Sequence, residues 1–235
     1  MGIFSEFRQH GTLNFVLPAV LLAARHTMKS LKSPSRPTAL PRPLRRGAAT
    51  LCATLALCVL APQASAMEIE GVRFDDATRL AGKELQLNGA GLRSVFVIKG
   101  YVAGLYLPER ARNATVALAT RGPKRLQLRL LREVDSATFV KALNEGLREN
   151  HSELQMKLLA DRVTQLEQTM NLVGTVRRGD IINFDFTPEG GTIVALNGIP
   201  RGEAIAGEDF YQAVLRIFLG EHPVDRNLKR GLLGG

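Results

Sequence analysis

Leu87-Asn-Gly-Ala-Gly-Leu-Arg93, followed closely by Tyr101-Val-Ala-Gly-Leu-Tyr-Leu107, decides how this chain folds. Leu85–Asn88 has the composition of a strand, and Gly89-Ala-Gly91 then reads as a glycine turn that ends on Arg93. Ser94–Leu107 is rich in β-branched and aromatic residues and is apolar on both alternating faces. That pattern predicts a strand covered on both sides, or one that lines a cavity. Together the two pieces set a fixed cation and a phenol inside an apolar fold. An anionic or phenolic apolar molecule needs both.

If Arg93–Leu107 is one unbulged strand, Arg93, Lys99 and Tyr101 share a face with Val95, Val97, Ala103 and Leu105. A glycine bulge resets that parity. A cation on an apolar face is costly unless it is paired. Two readings stay open. Either an anionic ligand head meets Arg93, for which a planar guanidinium is well shaped, or Arg93 pairs with an internal acid such as Glu145 or Asp185, or ends its strand in water. Tyr106 has the opposite parity and reads as core. Tyr211 reads as packing on a short helix. His151 and His222 are isolated and read as exposed residues rather than as metal ligands or general bases.

Downstream, Lys124–Leu131 alternates Leu126, Leu128 and Leu130 with Arg125, Gln127 and Arg129, the mark of a half-exposed strand. Asp135 or Ser136 can cap a helix that runs to about Asn150 with Phe139, Leu143 and Leu147 on one face. A second helix, from about Ser152 to Leu172, carries Leu154, Leu158, Val163, Leu166 and Met170. Asp180–Thr187 alternates again, and Asn197-Gly198 predicts a hairpin between Thr192–Leu196 and Ile199–Ala204. Asp209–Phe218 and Pro223–Leu233 read as short helices. Upstream, Glu68–Phe74 is a strand candidate. Strands, two helices, strands and helices in that order predict an α+β domain, an antiparallel sheet with helices on one face.

The formal charge of +9 on 235 residues misleads. Residues 1–66 hold eight basic residues and one acidic, and subtracting these from 31 and 22 leaves 23 basic and 21 acidic after position 66. The overall positive charge is therefore no evidence for nucleic-acid binding, and the basic pairs Arg177-Arg178 and Lys229-Arg230 are too small for a nucleic-acid surface. Residues 1–66 read instead as a targeting region. Basic residues from Lys29 to Arg46 precede the apolar run Ala48–Ala61, Pro62 breaks it, and Ala64-Ser-Ala66 is a small-x-small cleavage site. The expected signal peptide starts at Met28 and is cleaved after Ala66, which places the remaining domain, residues 67–235, in the periplasm with no membrane span. An uncleaved anchor, or an amphipathic membrane segment around Phe15–Ala24, is the alternative. Both cysteines, Cys52 and Cys58, fall in the apolar run, so residues 67–235 have no thiol for a disulfide, nucleophile or metal site. No phosphate loop, dinucleotide fingerprint or zinc motif is present, and neither a cofactor nor a metal is expected.

Four stretches carry a family resemblance: Leu87–Arg93, Lys99-Gly-Tyr-Val-Ala-Gly-Leu-Tyr-Leu107, Ala142-Leu-Asn-Glu-Gly-Leu-Arg148, and Ala213-Val-Leu-Arg-Ile-Phe-Leu-Gly-Glu-His-Pro223. The last two are generic singly; all four in order are specific. Residues 67–235 resemble the exported bacterial branch of the chalcone isomerase superfamily. The resemblance implies an open-faced sandwich. It also implies one of two activities, flavanone ring closure as in the plant isomerases or fatty-acid binding without catalysis. Arg93 falls on the arginine that polarises substrate in the plant enzymes and meets the carboxylate in the fatty-acid binders. Tyr101 falls where the isomerases have threonine. Asn144 or Glu145 falls near their active-site asparagine. The tyrosine that holds a catalytic water should lie in Leu131–Thr138, where this chain has none.

The expectation is therefore a non-catalytic periplasmic binding protein for a fatty acid or similar amphipathic anion. Arg93 and Tyr101 anchor the ligand with Lys99 beside them, and Val95, Val97, Asn144 and Glu145 are further pocket residues. The alternatives are an isomerase or lyase acting on a phenolic enone, and an envelope interaction protein with a vestigial pocket.

Overall fold

The computed structural model describes residues 67–235. The targeting region expected over residues 1–66 lies outside the described residues. A short ribbon comes first, β1 (Met67–Ile69) and β2 (Val72–Phe74), closed by Glu70 and Gly71 at φ 55° and 73°. The stretch Glu68–Phe74, read above as one strand, is thus a hairpin. A seven-stranded antiparallel sheet follows, in which each strand pairs with its neighbours in sequence. Its members are β3 (Ala77–Leu80), β4 (Lys83–Val95), β5 (Ile98–Leu107), β6 (Lys124–Leu130), β7 (Ile181–Thr187), β8 (Gly191–Leu196) and β9 (Ile199–Ile205). The helices are α1 (Ala114–Ala119), α2 (Ser136–Asn150), α3 (Glu153–Val173), α4 (Glu208–Leu219) and α5 (Arg226–Leu232).

The main core lies between one face of the sheet and the helices. Ala103, Leu105, Leu126, Leu128, Ile182 and Phe184 meet Phe139, Leu147, Leu166, Val214 and Phe218 there. The expected α+β class, an antiparallel sheet with helices on one face, is what the chain forms. The β1–β2 ribbon covers part of the opposite face, where Phe74 packs with Leu85, Leu87, Val102 and Tyr106. Gly104 makes room for it: a Cβ there would lie 2.6 Å from the Phe74 ring.

Local chemistry explains the helix ends. The Asp135 carboxylate accepts the Thr138 N–H at 2.8 Å and starts α2. Ser152 and Gln155 form a reciprocal capping box at the start of α3. Leu159, Val163, Leu166 and Met170 form the buried stripe of α3, whereas Leu154 and Leu158 are exposed. Leu154 lies nine residues before Val163, about half a revolution round the helix. The Asn197-Gly198 turn is present, both residues at positive φ (51° and 81°), as a two-residue antiparallel hairpin requires.

The opening motif behaves differently from its reading. Gly89-Ala-Gly91 makes no turn; it lies inside β4. Ser94–Leu107 is not one strand either. Phe96 and Val97 turn the chain between β4 and β5, and Val95 pairs with Ile98. An apolar turn carries none of the Gly, Asn or Asp residues that mark turns in sequence.

Candidate functional site

Two bulges in the β4–β5 ladder build the site. The register runs Leu87↔Tyr106 and then Gly89↔Leu105, so Asn88 is an extra residue on β4. The Asn88 amide spends its capacity on backbone: its N–H groups donate to Ala111 O and Leu232 O at 3.0 and 2.7 Å, and its oxygen accepts the Ala111 N–H at 2.6 Å. The bulge turns Gly89, Gly91 and Arg93 toward the helical face. Helix α5 lies directly on those glycines; a Cβ on Gly91 would meet Leu228 O at 2.9 Å, and one on Gly89 would collide with Gly231 O. The glycines therefore serve close approach, not a turn.

That seat fixes the N-cap of α5. One Asp225 carboxylate oxygen accepts the Asn227 and Leu228 N–H groups at 2.8 and 3.0 Å. The other lies 3.7 Å from an Arg93 guanidinium nitrogen and 3.4 Å from Ser94 N. The same Arg93 nitrogen donates to Ser94 O at 2.5 Å. The internal partner of Arg93 is thus Asp225, not Glu145 or Asp185. It is a loose pair, because Asp225 already caps the helix.

The second bulge is Gly100. Arg93 pairs with Tyr101 and Ser94 with Lys99, leaving Gly100 unmatched on β5. Tyr101 and Ile98 consequently face the helices with Arg93 and Val95. Lys99 is turned to the other face, where its ammonium meets Glu70 of the β1–β2 turn at 2.6 Å.

Between these strands, the β6–α2 loop, α2 and the end of α4 lies a cavity of about 430 Å³. Arg93 and Tyr101 stand on its strand wall with Val95, Ile98 and Gly100. Leu128, Phe139, Leu143, Phe218 and Val224 supply apolar surface, and Arg132, Glu133, Asp135 and Thr138 line the exposed rim. The volume is in the ~300–1,000 Å³ range of small-molecule sites, and the lining is mostly apolar with few polar groups, as such sites require. Burial pushes the Tyr101 phenol well above the ordinary tyrosine value; Arg93 draws it partly back and Asp225 adds to the rise. Tyr101 is therefore a neutral hydrogen-bond donor at neutral pH. At the rim, hydrogen bonds from the Thr138 backbone and hydroxyl hold the Asp135 carboxyl below the usual range.

The structure brings Arg93, Tyr101 and Val95 together and leaves the other expected site residues outside the cavity. Val97 is in the exposed β4–β5 turn, where the chain reverses direction. Lys99 is turned away by the Gly100 bulge. Asn144 points between α2 and α3, donating to Glu167 at 2.5 Å. Glu145 is exposed on α2 and lies 3.9 Å from Lys141. Sequence reasoning missed Asp225, Ile98 and the rim residues; their only sequence signal was the capping pattern around Asp135 and Asp225. Tyr106 is buried opposite the cavity and donates to Asp75 O at 3.1 Å, and Tyr211 is buried and donates to Phe184 O at 3.2 Å. His151 and His222 border a separate polar cleft beside α1 and the end of α4. Among the described residues no group of three metal-binding side chains is found, and no helix is long and apolar enough to cross a membrane.

Comparison with known proteins agrees with this architecture. A family model described as chalcone isomerase-like matches residues 66–234. The crystal structure of a fatty-acid binding protein from Arabidopsis thaliana matches with a TM-score of 0.54 at 15% identity, covering 72% of this chain and 96% of that one. At that identity the likeness is one of fold. No curated protein sequence matches.

Proposed function

Because the chain belongs to the chalcone isomerase-like family, we propose that its cavity takes a fatty acid or similar amphipathic anion, without catalysis, in the periplasm. One observation carries the reading. A guanidinium stands on the wall of an apolar cavity with only a loose carboxylate partner at 3.7 Å, and a neutral phenol is its neighbour across the ladder. A ligand carboxylate completes the pairing of Arg93 and accepts from Tyr101, while its hydrocarbon lies along Leu128, Phe139, Leu143 and Phe218. The structural neighbour, a fatty-acid binding protein by its description, supports the same ligand class.

The non-catalytic part rests on the rim. Leu131–Thr138 contributes Arg132, Glu133, Val134, Asp135 and Thr138 to the cavity and no tyrosine to hold a water. Ring closure needs the enone braced and its developing enolate met by donors already in place. Export belongs to the same reading, through residues 1–66 with cleavage after Ala66, and N-terminal sequencing of the periplasmic protein tests it. Ligand identity is tested by native mass spectrometry of protein purified from the periplasm, followed by lipid extraction. The expected result is a bound amphipathic anion. Protein that carries none and takes up no added oleate contradicts the proposal.

A further inference from the structure

The β4–β5 hairpin extends beyond its support. On one side β3 pairs only with Lys83–Gln86, and on the other β6 reaches β5 no further than Tyr101, apart from one bond from Leu131 N to Gly100 O at 2.9 Å. The four residues at its end are all apolar and are not folded back: Val95 is 49% exposed, Phe96 97%, Val97 92% and Ile98 51%. Phe96 has φ 53°. The first position of a two-residue turn with φ above zero normally takes glycine, asparagine or aspartate, and a bulky aromatic residue there is strained. Strain and full solvation of an aromatic ring at one position indicate a functional constraint, not a packing one.

We infer that the Val95–Ile98 tip inserts into a lipid surface and sets the cavity mouth against it, so that an amphipathic anion passes between bilayer and cavity without crossing water. The inference rests on the proposed ligand class. Continuity supports it: Val95 and Ile98 are at once the base of the tip and the wall of the cavity beside Arg93 and Tyr101. Size supports a bilayer over a protein. Two fully exposed and two half-exposed side chains on a two-residue turn fall short of the ~800 Å² per partner that a stable protein interface buries. Entry into the headgroup–acyl boundary has no such area threshold, because its strength scales with whatever apolar area is buried there. Lys99, tied to Glu70 at 2.6 Å, braces the hairpin at the level where the apolar residues begin.

The chain has no tryptophan, so one introduced tryptophan reports a single place. Phe96→Trp and, separately, Val97→Trp are made in the full chain. Leu158→Trp, at an α3 position that is 71% exposed, is the control. Vesicles of phosphatidylcholine and phosphatidylglycerol are added, with and without bromine on the acyl chains. The expected result is a blue shift and bromine quenching at positions 96 and 97 and neither at 158, with Val97→Asp lowering vesicle partition of the Phe96→Trp protein at least about tenfold. Emission at 96 and 97 that vesicles leave unchanged overturns the inference. So does an equal shift at 158, or a concentration-dependent shift without vesicles, which identifies the partner as a second copy of the chain. Oleate uptake is measured in vesicle-free buffer by native mass spectrometry. Uptake with a water-exposed tip leaves the cavity reading standing and removes this one; insertion without uptake leaves the membrane contact of the tip standing and removes both the cavity reading and the passage of an anion.

Discussion

Arg93 and Tyr101 are direct partners across the β4–β5 ladder, and both line one cavity. They are eight positions apart in sequence, yet the pairing places a cation and a phenol side by side on one wall. Two bulges, at Asn88 and Gly100, and the glycines on which α5 rests set that pairing.

Substituting the seat of α5 should damage stability and site together. Gly91→Ala pushes a methyl against Leu228 O and Cα, at 2.9 and 3.0 Å before relaxation. Overpacking of this kind costs about 1–3 kcal/mol and lowers Tm by roughly 3–10 °C. Gly100→Ala meets only Arg93 O at 3.5 Å, ordinary contact, and should be tolerated. Thermal unfolding followed by circular dichroism checks the order, and equal loss in both variants contradicts the account.

Lys124 makes a second, asymmetric case. It is fully buried on β6, paired to Glu208 at 2.9 Å and set over the rings of Phe186 and Tyr211. Removing the acid leaves an uncompensated ammonium; removing the lysine leaves an acid that already reaches water. Glu208→Ala should therefore cost about 2 kcal/mol, below the ~3–5 typical of fully buried pairs, and Lys124→Met should cost less. Chemical denaturation of the two variants is the measurement, and the reverse order refutes the argument.

Much of this fold was legible in the sequence. The α2 and α3 helices followed from period and caps, and the β8–β9 hairpin from Asn197-Gly198. Parity along a single strand puts Arg93 and Tyr101 on one face, and the hairpin does so too, by direct pairing across the ladder. The β4–β5 hairpin stayed hidden because its turn is Phe96-Val97 and carries no turn chemistry. Lys99 was misplaced because a one-residue bulge inverts parity, and bulges leave no periodic signal. β3, with the polar pattern Ala77-Thr-Arg-Leu80, and the six-residue α1 offered too little periodicity to be seen. The Asp225 partnership is tertiary: it depends on α5 returning to β4 from the far end of the chain.

The raised Tyr101 phenol gives a pH prediction. A phenol with a folded value above its unfolded one is neutral in both states below about pH 10, so stability there is unaffected. As pH rises past about 10, the unfolded chain ionises first and stability falls. Tyr101→Phe should remove that part of the alkaline loss, and ligand affinity should show no phenol titration from about pH 7 to about pH 10. Urea titrations and binding isotherms across the range test it. An alkaline stability loss identical in Tyr101→Phe contradicts it.

Catalysis is tested with a hydroxylated chalcone and purified protein, followed by absorbance. The account predicts cyclisation at the uncatalysed rate, because Arg93 can attract a phenolate but the rim supplies no tyrosine to hold a water. Saturable turnover that disappears in Arg93→Ala would promote the isomerase reading.

The central claim is that Arg93 anchors an anionic head group. Its most direct test is a calorimetric titration of oleate into wild-type protein and Arg93→Ala, with Tm measured on both. Losing a charge-assisted pair in an apolar cavity should weaken binding by about 2–4 kcal/mol, roughly thirty- to several hundred-fold, with the fold retained. Unchanged affinity in a normally folded Arg93→Ala protein would contradict the account.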